Sequence, residues 1–298
     1  MLAPPWVLPV YRRMLEVAAT HALPFGHGDV KLGARRRFAK TLPQYDRAVV
    51  LPNTFKSALI PWHAGIPVRT GYRGEMRFGL LNDARRLDEA ALPLIVERYA
   101  ALAQPAEEAL RPGLPNPRLA VDDAARRATL AKFAIDSAKP AAAFAPGAEY
   151  GPAKRWPARH FASLAATLAN RGYQVWLLGS QQDAGITAEI QRLAENICID
   201  FAGRTTLDEA IDLLSLAAHV VTNDSGLMHV AAALDRPTTA LFGSSSPAFT
   251  PPLSARARVI TLKLSCSPCF QRVCPLGHTN CLVTLEPARV LAGLGTDP

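Results

Sequence analysis

Between Ala141 and Leu262 the chain alternates short apolar runs with longer amphipathic stretches, and few folds satisfy such a pattern. Ala141–Ala145, Gln174–Leu178, Ile197–Ile199, His219–Thr222, Thr238–Phe242 and Arg258–Leu262 have strand length. Between them, Ala158–Arg171, Asp183–Glu195, Leu207–Ala217 and Gly226–Ala233 carry apolar residues at helical spacing. Strands alternating with helices predict an α/β fold with a parallel, doubly wound sheet. Ligands of such sheets bind outside the carboxyl ends of the strands, so chemistry is expected in the loops that follow them.

The first half predicts a second unit of the same class. The apolar run Arg47–Leu51 enters a polar turn, Pro52 to Lys56, and a helical stretch reaching Ala64. Leu92 to Ala103 reads as a helix, Gln104 to Pro117 as a proline-studded connection, and Asp122 to Ile135 as another helix. A length of 298 residues fits two domains at roughly 150 residues each. The boundary is expected after Asp136, giving residues 1–136 and 137–298.

Composition narrows the partner. Apolar residues make up 49% of the chain with no long charge block, which excludes a disordered protein. No apolar run approaches the roughly 18 residues of a membrane span. The start, Met1 to Pro9, lacks a basic segment and is broken by prolines, so it does not read as a signal peptide and a cytoplasmic location is expected. A net charge of +8 points to an anionic partner. The one basic run, Arg35-Arg36-Arg37, reads as a solvated helix face, and no nucleic-acid-binding motif is present. A phosphorylated lipid or nucleotide therefore fits better than nucleic acid.

The post-strand loops carry the candidate chemistry. Pro146 to Pro157 contains Gly147, Glu149, Gly151 and Lys154, with Pro157 marking the first turn of the next helix. A lysine near a helix N-terminus suits a diphosphate, although a plain loop lysine is the alternative. Leu178-Gly179-Ser180 resembles a nucleotide-binding turn or an ordinary β–α turn. In Asn223-Asp224-Ser225-Gly226, Asp224 is either a ligand-binding carboxylate or an N-cap, and the Ser225 and Gly226 amides point outwards at a helix start. His229 follows one turn later on the side of Ser225. Leu241 to Pro247 supplies another small polar loop.

Residues 146–157, 223–229 and 245–254 closely resemble the heptosyltransferase II members of glycosyltransferase family 9. So do Leu51-Pro52-Asn53-Thr54-Phe55-Lys56-Ser57-Ala58 and Arg69-Thr70-Gly71-Tyr72-Arg73-Gly74-Glu75-Met76-Arg77. The resemblance implies a GT-B fold, two Rossmann-like domains facing across a cleft. It further implies inverting, metal-independent transfer of heptose from ADP-heptose to the heptosyl-Kdo–lipid A core, at the inner face of the cytoplasmic membrane. The absence of an Asp-x-Asp motif agrees with a catalysis that requires no metal cofactor. Lys154 and Asp224 would be catalytic, with Gly147, Glu149, Gly179, Ser180, Thr205, Ser225, Gly226 and His229 around the donor. Asn53, Lys56, Arg69, Arg73 and Arg77 are acceptor-side candidates, arginine being suited to bidentate phosphate contacts.

The family pattern begins with a strand and a Gly-rich turn carrying an aspartate base, whereas this sequence opens on the pattern's second strand at Met1-Leu2-Ala3. A shortfall of roughly 30 residues is one βα unit. Losing a positioned base removes about 10²–10⁴-fold, so weak turnover with intact donor binding is expected. The alternatives are an ADP-sugar-binding protein without turnover and a related heptosyltransferase with another acceptor. A nicotinamide oxidoreductase is disfavoured because no Gly-x-Gly-x-x-Gly opens a helix.

Cys266, Cys269, Cys274 and Cys281 cluster near the C-terminus, with His278 among them. In a cytosolic chain such a cluster reads as free thiols or a structural metal site, zinc with four thiolates or with three and one imidazole, or an iron–sulfur cluster. Cys198 reads as core.

Overall fold

The computed structural model describes residues 1–26 and 28–294. In chain order the strands are β1 (Leu2–Ala3), β2 (His21–Ala22), β3 (Arg47–Val50), β4 (Val68–Tyr72), β5 (Asp83–Arg85), β6 (Ala141–Ala145), β7 (Gln174–Leu177), β8 (Ile199–Asp200), β9 (His219–Asn223), β10 (Thr238–Leu241) and β11 (Ala257–Ile260). The helices are α1 (Leu8–Arg12), α2 (Leu32–Ala39), α3 (Phe55–His63), α4 (Ile95–Ala101), α5 (Asp123–Lys132), α6 (Ala158–Asn170), α7 (Ala184–Leu193), α8 (Leu207–Leu216), α9 (Gly226–Ala233), α10 (Asn280–Val283) and α11 (Pro287–Gly293).

The larger of two compact units contains Met1–Pro24, Asn116–Pro247 and the chain from Pro251 onward. Its sheet has the order β11-β10-β9-β6-β7-β8, and every neighbouring pair is parallel. Side chains alternate across it, as a period of two requires. Phe144, Val175, Leu177 and Val221 enter one apolar cluster with Phe161, Leu164 and Leu168 of α6, Ile190 of α7 and Val290 of α11. Ala143, Trp176, Leu178 and Val220 enter the opposite cluster with Ile211 and Leu214 of α8 and Val230 of α9. Both faces are buried, as expected of a parallel sheet. Strand order reverses between β6 and β9, which makes their carboxyl ends the topological switch point.

The smaller unit, Phe25–Pro115 with Ala248–Thr250, holds the parallel sheet β3-β4-β5. Val50, Ala58 and Leu81 form its small apolar cluster. The division at residue 115 lies inside the proline-rich connection and earlier than the expected boundary after Asp136. Leu119, Phe133 and Ile135 pack into the β6–β9 cluster, so this segment belongs with the larger unit. The first 24 residues join that unit too, through Val10 and Met14. Among the described residues, no helix is long and apolar enough to cross a membrane.

The basic run of α2 is only partly a solvated face. Arg35 is buried: its Nε and Nη2 donate to the carbonyls of Val30 and Asp29, each at 2.7 Å, and its guanidinium lies 4.4 Å over the Phe25 ring. Arg36 and Arg37 are exposed.

Candidate active site

The carboxyl end of β9 organises the switch point. Asn223 is fully buried; its Oδ1 accepts from the Trp156 amide at 3.0 Å and its Nδ2 donates to the Pro146 carbonyl at 2.7 Å. One amide side chain thus pins both ends of the loop that follows β6. The Trp156 ring is locked as well, its Nε1 donating to the Leu285 carbonyl at 2.7 Å. Lys154 projects from the pinned loop, and its Nζ meets Asp224 Oδ2 at 2.6 Å. The side chains are 17% and 7% exposed. The ammonium also lies 5.0 Å over the Tyr150 ring.

Asp224 is therefore not the N-cap of α9, which is Ser225. The helix start has no side-chain cap; the Ser225 hydroxyl is within 3.2 Å of Thr222 Oγ1 instead. An uncapped helix N-terminus beside a half-sheltered ammonium would favour an anion by two independent contributions, the amide dipoles and the cation. An ammonium has three donors and Asp224 uses one here, so two remain for a ligand. His229, one turn into α9, is solvent-accessible yet closely surrounded. Desolvation holds its imidazole below the ordinary histidine pKa, with Lys154 pushing the same way and Asp224 opposing.

The other donor-side candidates are placed differently. Gly147 and Gly179 both face Asp183: a Cβ on either would come within 2.2 Å or 2.8 Å of that side chain. Asp183 Oδ2 accepts from the Ser180 amide and hydroxyl, each at 2.9 Å. The close approach these glycines allow is thus to a carboxylate of the chain itself. Asp183 is not among the candidates above, although Ser180-Gln-Gln-Asp183 carries the spacing of a capping box. Glu149 is exposed, and Thr205 donates to the Phe201 carbonyl at 3.4 Å. Asn223, Ser244 and Ser245 were not singled out. The last two end in buried hydroxyls that have no partner among the described residues, just past β10.

In the smaller unit, three of the five acceptor candidates are spent on the fold. Arg69 donates to the carbonyls of Leu80 and Ile66, both at 2.6 Å. Arg77 is buried and donates to Pro52 O at 2.7 Å, to Asn53 Oδ1 at 3.2 Å and to Tyr72 O. Asn53 is thereby occupied in holding Arg77. Arg73 is exposed and Lys56 half-buried, and neither side chain has a hydrogen-bond partner among the described residues. Cys198 is buried core; burial, with Asp200 nearby, pushes its thiol up to about 12.

The sequence model of glycosyltransferase family 9 (heptosyltransferase) matches residues 35–280. The chain belongs to this family. Lipopolysaccharide heptosyltransferase 2 of Salmonella typhimurium strain LT2 is 49% identical over 99% of this chain and 88% of its own length. The protein of the same name from Escherichia coli K12 is 48% identical with the same coverage. A solved structure, that of Escherichia coli ADP-heptose lps heptosyltransferase II, superposes with a TM-score of 0.88 at 46% identity, covering 98% of this chain and 87% of that one. This family 9 heptosyltransferase is accordingly a glycosyltransferase of the GT-B fold class acting in lipopolysaccharide core synthesis.

Two expectations follow for this heptosyltransferase. Asn223→Ala would leave the Trp156 amide and the Pro146 carbonyl unpaired in the interior, at about 1–3 kcal/mol for each group. Chemical denaturation should show that loss, together with a lower kcat because the Lys154 loop is released at both ends. The second concerns His229. Its lowered pKa means that its stability contribution is present above the ordinary value of 6.5 and is lost as pH falls through the folded-state pKa. A bound diphosphate would favour the imidazolium, so ADP should raise the pKa of His229 and bind more tightly as pH falls through that range. An imidazole titration by NMR with and without ADP checks this; an unchanged pKa would place the diphosphate elsewhere.

Proposed function

We propose that this chain transfers L-glycero-D-manno-heptose from ADP-heptose to the phosphorylated heptosyl-Kdo–lipid A core at the cytoplasmic face of the inner membrane, without a metal cofactor in the transfer step. The 49% identity over nearly the whole chain to a heptosyltransferase 2 supports the substrates. The observation that carries the chemistry is Lys154 brought to Asp224 beside the uncapped start of α9, at the switch point of the larger sheet.

The acceptor hydroxyl oxygen bonds to the anomeric carbon and gives its proton to water as the bond from that carbon to the diphosphate breaks, and negative charge grows on the departing ADP. Two donors of Lys154 and the Ser225 and Gly226 amides are the groups assigned to that charge; preorganised donors aimed at developing charge are commonly the largest catalytic contribution. Asp224 holds the ammonium in place beside the donor sugar. The larger unit is assigned to the donor. The smaller is assigned to the acceptor, with Lys56 and Arg73 as its phosphate contacts.

ADP release should be measured with heptosyl-Kdo–lipid A and, separately, with Kdo–lipid A. Turnover is expected with the first and little with the second. A faster rate on Kdo–lipid A would overturn the acceptor assignment, and no ADP release from either acceptor would overturn the transferase reading for this chain.

A further inference from the structure

The segment from Cys266 to Cys281 is not used by the reaction described above, yet it braces the loop that performs it. The Arg272 carbonyl accepts from the Ala153 amide at 3.1 Å, next to Lys154. Tyr150 Oη donates to the Phe270 carbonyl at 2.7 Å, and the Arg272 guanidinium lies 5.0 Å over the same ring that Lys154 faces. A Cβ on Gly151 would come within 2.4 Å of the Arg272 carbonyl, so the two backbones are pressed together. On the opposite side, the Phe270 amide donates to the Ser244 carbonyl at 2.7 Å and Ser267 Oγ donates to the Gly243 carbonyl. The segment is latched to the loops after both β6 and β10, with little regular structure of its own beyond the single turn of α10.

What gathers this segment is a cavity of about 20 Å3 lined by Cys266, Cys269, Cys274 and Cys281 together with Ala153 and Ser244. That is room for a water or a single ion. His278 also borders it, but its Nδ1 already accepts from the Asn280 amide at 3.0 Å. With that lone pair taken, the ring proton sits on Nε2 and neither nitrogen is left to donate to an ion. Thr279 N donates to Cys274 Sγ at 3.4 Å, the backbone support a thiolate ligand receives in a tight loop.

We propose that Cys266, Cys269, Cys274 and Cys281 are the ligands of one thiolate-seeking divalent ion, zinc or ferrous iron, which fixes the segment beneath the Lys154 loop. Four cysteine sulfurs bordering one small cavity are the donor set that such metals take in four-thiolate sites. Binding releases the thiol protons to water and leaves four thiolate–metal bonds. Among the described residues no group of three or more His, Cys, Asp or Glu side chains is placed so that it could hold a metal ion as it stands. The proposed site therefore requires the sulfurs to close inwards on binding, by rotamer changes around the cavity they share.

The test is independent of turnover and so of the proposed reaction. The whole chain, purified under reducing conditions, should contain a single equivalent of zinc or iron by elemental analysis, which also tells the two metals apart. Chelator-treated protein titrated with cobalt(II) should develop sulfur-to-cobalt charge-transfer bands and the intense ligand-field bands of a tetrahedral thiolate site, saturating at one equivalent. Cys269→Ser and Cys274→Ser should each lose the bands, whereas His278→Ala should retain them. A purified chain without metal whose apo form shows no cobalt–thiolate bands would overturn the site. Loss of the bands in His278→Ala alongside retention in a cysteine variant would overturn the ligand set.

Discussion

Lys154→Ala is expected to lower kcat for heptose transfer by about 10²–10³-fold, the usual cost of deleting one preorganised donor from a site of developing charge. The ammonium is positioned from several directions: Asp224 at 2.6 Å, the Tyr150 ring beneath, and a loop pinned at both ends by Asn223. Such fixing removes the reorganisation that a flexible surface lysine would require. Lys154→Arg should recover only part of the rate, because a planar fork cannot occupy the space of a compact ammonium against Asp224. Asp224→Asn separates two roles. If Asp224 acts through Lys154, the variant loses kcat, and the loss shrinks when Lys154 is already alanine. Independent, multiplicative losses would instead mean that Asp224 contacts the donor by itself. ADP affinity and the melting transition, measured beside kcat, show whether any loss is merely unfolding.

The alternation after Ala141 made the larger sheet legible, since both faces of a parallel sheet are buried and its strands become apolar runs. Strand β8 shows what such a pattern leaves open. Ile197–Ile199 read as the strand, but pairing starts at Ile199. Both backbone groups of Cys198 are held by the Gln191 side chain, at 2.8 and 3.1 Å, and so are withdrawn from the ladder. Helix α4 was expected from Leu92 and begins at Ile95, because the Glu97 carboxylate reaches back to the Leu94 amide at 2.9 Å and sets the cap there.

The site was legible in part for the same reason. Lys154 and Asp224 stand after β6 and β9, and a doubly wound sheet brings those loops together wherever strand order reverses. What sequence could not give was which polar groups are consumed by the fold. Arg69 and Arg77 sit in a string of family-like residues, yet their guanidinium groups are taken up by backbone carbonyls of the smaller unit. Asn223 looked like the last residue of a strand, and only its contacts across 67 and 77 residues of chain reveal it as the pin.

Asp212→Ala is expected to destabilise the larger unit by about 3–5 kcal/mol, the range for breaking one side of a buried ion pair. Asp212 lies in α8 among the buried Ile211, Leu213 and Leu214, where a carboxylate is costly unless paired. Its Oδ1 is 2.7 Å from Arg13 Nη1, with the side chains 2% and 10% exposed, and its Oδ2 accepts from Thr129 Oγ1 at 3.0 Å. One carboxylate thus joins the end of α1, the middle of α5 and the middle of α8. Alanine would strand the Arg13 guanidinium in the interior with only its weaker contacts to Asp208, both at 3.3 Å. The loss should appear as a lower midpoint in denaturant with an unchanged slope. The Arg13→Met, Asp212→Leu double variant should regain most of that stability, because an apolar pair of similar size avoids the desolvation of two charges. A double variant no more stable than Asp212→Ala would instead assign the loss to Thr129 and the local packing of α5 on α8.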